Sequence, residues 1–188
     1  MEFKQYLIES SRTLNSSGKD LDLLHCAAGL RTESGELIDV IKKHIFYGQS
    51  LDIVNMKEEL GDIMWYIAIP VRMFDLNLDL TMQNDGFYKK KIKNQITTKV
   101  GLMKYFLSFD TMIHHLSECI TINLSKSDFN NVIEDINLIC EIYNLNLSEI
   151  MDININKLKA RFPNNFTQEH ALNRDLEKER AILEGEVK

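Results

Sequence analysis

Apolar positions recur every three to four residues along nearly the whole chain, and strict apolar–polar alternation is nowhere sustained. The pattern predicts helices over 2–15, 21–46, 53–75, 79–95, 100–123, 128–144, 147–161 and 168–184. Asn15-Ser16-Ser17-Gly18 ends the first of these. Tyr47-Gly48-Gln49-Ser50 ends the second, with Gly48 placed as a C-terminal cap. Asp75-Leu76-Asn77 and Asn144-Leu145-Asn146 read as short helix–helix joints, Arg161-Phe162-Pro163-Asn164-Asn165 as a stop, and Thr167 as the opening of the last helix. Pro70 falls inside the third helix, where a kink or local break is expected. Two prolines and eight glycines are too few for a turn-rich β-sandwich or barrel, so the expected fold class is all-α.

A weak internal repeat accompanies the pattern. The stretch from Phe74 to Asp85 resembles that from Tyr143 to Asn154, at an offset of 69 residues. Two helices sharing a common joint explain this; so does a duplicated helical unit. At the same offset Glu59 and Asp62 become Asp128 and Asn131, so a second copy has lost the pair of full acids. The expected organisation is a first unit over 1–98 and a degenerate second unit over 99–188, packed as one globular body.

The informative chemistry is acidic. Glu33-Ser34-Gly35-Glu36 and Glu59-Leu60-Gly61-Asp62 lie on neighbouring predicted helices. Residues three apart share a helix face, and the short joint sets the two helices antiparallel, so all four carboxylates can converge. Glu59 and Asp62 fall among Ile63, Tyr66, Ile69 and Met73, and Glu33 sits at the edge of the arc carrying Leu30, Leu37 and Ile41. The acids therefore point into the bundle. Ionised carboxylates sharing a desolvated site must take up protons, pair with bases or bind a cation. No basic residue is interleaved on these two faces, so a hard divalent cation is expected: Mg²⁺, with Mn²⁺ as substitute. Such a site usually awaits a phosphorylated substrate.

The net charge of -6 and pI near 5.4 give no global basic footprint for nucleic acid. No apolar run approaches a membrane span, and the N-terminus lacks a signal-peptide layout. Cys26, Cys119 and Cys140 are far apart and form no CxxC, which argues against a zinc site and for a reducing cytoplasm.

At these residues the sequence resembles the MazG-like all-α nucleoside triphosphate pyrophosphohydrolases, whose signature is Glu-x-x-Glu, a gap, then Glu-x-x-Asp. The likeness covers His25–Leu37, Phe46-Tyr47-Gly48, Asp52, Asn55 and Glu58–Tyr66. It resumes at Asn154–Pro163 and in a tail at Ala171–Leu176. It implies a four-helix core and Mg²⁺-dependent hydrolysis of a (d)NTP to the monophosphate and pyrophosphate, in a homodimer or homotetramer. The interposed stretch 86–153 departs from simpler members and is similar in plan to the two-repeat all-α dUTP hydrolases, so dUTP or dUDP hydrolysis is the alternative. A non-catalytic nucleotide sensor is another.

By the same resemblance Glu33, Glu36, Glu59 and Asp62 hold the metal, and Glu33 or Glu36 accepts the proton of the attacking water. Asn154, Lys157 and Arg161 contact phosphates, with Lys89, Lys90, Lys91 and Lys93 as rivals or merely a solvated face. Trp65 and Tyr66 either stack on the base or pack in the core. Asn55 either caps its helix or touches substrate. His25 either lines the pocket or serves the core. Asp39 either joins the metal shell or faces solvent, and Arg174 and Asp175 either close over the site or link subunits. His114 and His115 lack an acidic partner in the sequence and read as structural.

Overall fold

The structure, a computed structural model, describes residues 1–80, 86–163 and 166–186. Among these there is no strand. The helices are α1 (Phe3–Ser11), α2 (Lys19–Phe46), α3 (Ile53–Met73), α4 (Gly86–Gln95), α5 (Lys99–Ile122), α6 (Lys126–Ile142), α7 (Leu147–Arg161), α8 (Gln168–Leu172) and α9 (Leu176–Glu184). The all-α expectation holds. No helix among the described residues is long and apolar enough to cross a membrane.

The long helix α2 is the axis of the fold. Gly48, with φ at +70°, turns the chain back after it, and α3 returns alongside. On its other side α2 packs antiparallel on α5. The Arg31 Nε donates to Ser117 Oγ at 2.8 Å, Ser34 Oγ to Asp110 Oδ1 at 2.6 Å, and Lys99 Nζ to the Ile45 carbonyl at 3.2 Å. Helix α6 folds back on α5, while α1 and α7 pack on α3, and α9 lies across α7 and α3. One apolar core runs through Leu37, Ile41 and Leu60 of the first half and Phe106, Ile133 and Ile155 of the second.

Several elements differ from the periodicity. Helix α1 stops at Ser11 in a tightened turn, with Thr13 N–H on Ser10 O at 3.2 Å; α3 holds this end, the Trp65 indole N–H donating to Ser10 O at 3.1 Å and Arg72 Nη1 to Leu7 O at 3.2 Å. The predicted 168–184 helix is two helices. The Asp175 side chain accepts from the Lys178 backbone N–H at 3.0 Å and starts α9 afresh, a cap that competes with helix continuation. Helix α4 begins at Gly86, and the predicted start near 79 falls partly on 81–85, outside the described residues, as does Asn164-Asn165 of the predicted stop. Helix α3 runs through Pro70 without a break, since only one donor is lost three residues before the end. The two histidines do find acids: His114 Nε2 is 3.4 Å from Asp110, and His115 Nε2 is 3.8 Å from Asp128.

The repeat has a structural counterpart. Asp75 and Asn144, 69 residues apart, are the non-glycine positions with positive φ among the described residues, at 50° and 53°. Each closes its helix identically, with Leu76 N–H on Val71 O at 2.9 Å and Leu145 N–H on Cys140 O at 2.7 Å.

Candidate active site

Glu33 on α2 and Glu59 and Asp62 on α3 bring carboxylate oxygens within 4.8 Å of one another. Glu59 is buried and the other two are half-buried. Gly29 and Gly61 let the surrounding helices close. A Cβ at Gly29 would collide with the Tyr66 ring, and one at Gly61 would sit 3.0 Å from the Asn154 Cβ. Glu36, one turn beyond Glu33, is exposed and lies at the rim of the same cavity rather than within the trio.

Burial is the main reason Glu59 and Glu33 resist ionisation. It pushes the Glu59 carboxyl up to about 9, with Asp62, Glu36, Glu58 and Glu33 adding repulsion. Glu33 is pushed up to about 7 by burial and then by Asp62 and Glu36. The cluster is thus short of positive charge, though not devoid of it. Lys157, 1% exposed, reaches in from α7 and places Nζ 2.6 Å from Asp62 and 3.2 Å from Glu58. The expectation that no base is interleaved on the faces of α2 and α3 does not extend to α7. The base comes from a third helix, which inspection of α2 and α3 alone does not reveal. Burial opposes the charge on Lys157, but Asp62 and Glu58 outweigh it and raise its pKa.

Asn154, one turn before Lys157, donates from Nδ2 to Asp62 Oδ1 at 2.7 Å. Its own Oδ1 accepts from the Tyr6 hydroxyl at 2.9 Å, which also lies 3.2 Å from the Gly61 carbonyl. Both Asp62 oxygens are therefore positioned by α7. Tyr6 was invisible to motif reasoning; a lone buried tyrosine in the first helix carries no signal.

The acids open on a cavity of about 760 Å³. Arg161 and Arg174 line the same cavity. Each guanidinium spends Nε and Nη2 on Glu179 of α9, the shortest contacts being 2.5 and 2.6 Å. Burial alone would raise the Glu179 carboxyl; the two guanidiniums prevail and hold it at about 2. Glu179 was not anticipated. Neither Lys157 nor Asn154 lines the cavity, whereas Arg161, Arg174, Asn55, Tyr66, Trp65 and His25 do.

Other candidates fall into place around this frame. Trp65 is buried with its N–H spent on Ser10 and Thr13, so packing accounts for it. The His25 ring meets Tyr66 edge-on at 5.4 Å between centroids. Asp52, not Asn55, caps α3, accepting from the Asn55 N–H at 3.0 Å, while Asn55 Oδ1 receives Arg180 Nη1 at 3.3 Å. Asp39 pairs with Lys42 and Lys43 and takes no part in the trio. Lys89 and Lys93 are tied to Glu141, and Lys90 and Lys91 are exposed; none of the four lines the cavity.

Residues 22–95 match the family model of the MazG nucleotide pyrophosphohydrolase domain. That segment of the chain is similar to the MazG domain. No curated protein and no solved structure matches the chain. The MazG-like segment runs from α2 through α4 and contains all four acids; Asn154, Lys157, Arg161 and Glu179 stand outside it. It supports nucleotide pyrophosphohydrolysis as the general chemistry of the site, and the carboxylate trio is a donor set that could hold a divalent ion.

Proposed function

We propose that the protein is a Mg²⁺-dependent nucleoside triphosphate pyrophosphohydrolase that splits a (d)NTP into the monophosphate and pyrophosphate. The observation that carries this reading is a nucleotide-sized cavity lined by the carboxylate trio and by two guanidiniums. The donor set suits a hard cation: all its ligand atoms are carboxylate oxygens, held close before any ion arrives. When bound, Mg²⁺ would neutralise phosphate charge and lower the pKa of a coordinated water.

In this reading Glu33, Glu59 and Asp62 hold the ion, and Asn154 and Lys157 orient Asp62 from behind. Glu36, outside the trio yet on the same cavity, takes the proton of the attacking water. Arg161 and Arg174, pre-set by Glu179, neutralise the phosphates, and Nη1 of each stays uncommitted to that glutamate. Lys157 acts as an internal counterion rather than a phosphate clamp. Tyr66 or His25, whose rings stand edge-on to each other, supplies a ring face for the base.

The test is a panel of NTPs and dNTPs with Mg²⁺, scored for pyrophosphate release. Turnover by wild type and its loss in Glu59→Gln is the expected result. Turnover unchanged in Glu59→Gln refutes the mechanism, and tight nucleotide binding without turnover favours a sensor. A second reading, a dUTP/dUDP hydrolase, is supported by the matching left-handed joints at Asp75 and Asn144, which suit a two-unit chain. Phosphate release from dUDP selects it; inertness toward diphosphates rejects it.

A further inference from the structure

A second cluster of ligand atoms lies in the other half of the molecule. His115 and Cys119 are one turn apart on α5, and Asp128 faces them from the first turn of α6. Cys119 Sγ is 3.5 Å from His115 Nε2, His115 Nε2 is 3.8 Å from Asp128 Oδ1, and one ligand atom from each of the three residues falls within 4.8 Å of the others. The sequence sets the cysteines apart and pairs none with a zinc motif; the α5–α6 hairpin assembles the set across the chain turn.

These separations approach those around a tetrahedral Zn²⁺. Zn–S and Zn–N bonds of about 2.3 and 2.0 Å at a tetrahedral angle put sulfur and nitrogen about 3.5 Å apart, and nitrogen and oxygen about 3.3 Å apart. The first separation is already met and the second needs a shift of about 0.5 Å, small for an exposed histidine ring on a helix. Asp128 is also oriented from behind. Ser125 Oγ donates to Oδ2 at 2.7 Å, leaving Oδ1 turned to His115. A ligand carboxylate steadied through its other oxygen is the arrangement expected around a bound metal. The mixed sulfur, nitrogen and oxygen set favours Zn²⁺ and disfavours Mg²⁺, which takes oxygen ligands alone.

We propose that His115 Nε2, Cys119 Sγ and Asp128 Oδ1 form a Zn²⁺ site that staples α5 to α6, with water as the fourth ligand. On binding, the Cys119 thiol gives its proton to solvent and coordinates as thiolate. The site is separate from the acidic trio and does not depend on the proposed hydrolytic activity.

The test uses the full chain and Co²⁺ as the spectroscopic stand-in for Zn²⁺. Wild type and Glu59→Gln are expected to show a thiolate-to-cobalt charge-transfer band that added Zn²⁺ removes. Cys119→Ser abolishes the band. Zn²⁺ affinity, measured by chelator competition, falls at least about tenfold in His115→Ala and Asp128→Asn, and about tenfold in Ser125→Ala. Thermal stability rises with Zn²⁺ in wild type and not in Cys119→Ser. Absence of the band in wild type overturns the proposal, as does a Zn²⁺ affinity unchanged by Cys119→Ser and His115→Ala.

Discussion

Replacing Lys157 with Met isolates the electrostatics of the acidic cluster, because methionine preserves the buried aliphatic stem and deletes only the charge. Asp62 and Glu58 are then stranded, with side-chain exposures of 22% and 18%. Removing one partner of a buried pair costs about 3–5 kcal/mol. A ceiling follows from protonation. An aspartate that titrates near 3.9 in water can escape by taking a proton, at a cost of about 1.4 kcal/mol per pH unit above that value, or about 4–5 kcal/mol near pH 7.5 and about 2 near pH 5.5. At 2–4 °C per kcal/mol for a chain of this size, the metal-free variant melts about 6–20 °C below wild type at the higher pH and about half as far below at the lower. Added Mg²⁺ should restore most of the loss, and bind the variant more tightly than wild type, since the ion no longer shares the site with an ammonium. The assay is thermal denaturation in EDTA at the two pH values, then in a Mg²⁺ series. Melting within 2 °C of wild type at both pH values, or a loss that deepens as the pH falls, refutes the counterion role of Lys157.

Metal-free wild type should also lose stability as pH rises. Glu59 and Glu33 titrate at about 9 and about 7 when folded, above the unfolded value, so their contribution is full below about pH 4.5 and lost as pH climbs through about 7 to 9. A urea midpoint in EDTA that is flat or rising over that window contradicts this, and Mg²⁺ should flatten the slope. Glu33→Gln and Glu36→Gln should separate ligand from base: the first weakens Mg²⁺ binding in calorimetry, while the second leaves it intact and lowers kcat by about 10²–10⁴-fold. Glu179→Gln releases Arg161 and Arg174, costing about 1.5–3 kcal/mol and raising KM for triphosphate more than it lowers kcat; an unchanged KM removes the arginines from phosphate recognition. Trp65→Phe should remove the indole bond to Ser10 O and Thr13 Oγ1, lowering the melting temperature by about 2–8 °C with KM unmoved, as a packing rather than base-stacking role requires.

Local rules made much of this molecule readable. The 3.6-residue period placed α2, α3, α5, α6 and α7 within a few residues of their ends, Gly48 terminated α2, and i,i+3 spacing put Glu33 beside Glu59 and Asp62. What was not readable depends on contacts between segments distant in sequence. Lys157 meets Asp62 and Glu58 only because α7 packs on α3, and Glu179 captures two arginines only because Asp175 restarts the chain as α9. One signal was present and undervalued. Lys157 lies two turns from the buried Ile150 on one face of α7, and a lysine there requires a buried acid. His115 and Asp128 offered no comparable sign, since each is unremarkable on its own helix.

The contrast between α3 and α6 follows from the same electrostatics. The helices α3 and α6 end on matching joints, yet α3 carries Glu59 and Asp62 where α6 carries Asp128 and Asn131 at the repeat offset. On α3 the acids are sustained by a lysine and an asparagine from α7, which packs on that helix. On α6 the position equivalent to Asp62 is exposed and uncharged, and the one equivalent to Glu59 is half-buried against Ser125, His115 and Cys119. A buried acidic pair without compensating charge costs several kcal/mol per ion. Helix α7 packs on α3 and there sustains an all-carboxylate site. On α6 Asp128 is joined by the nitrogen of His115 and the sulfur of Cys119, a donor set that suits a softer ion than the one expected at the trio.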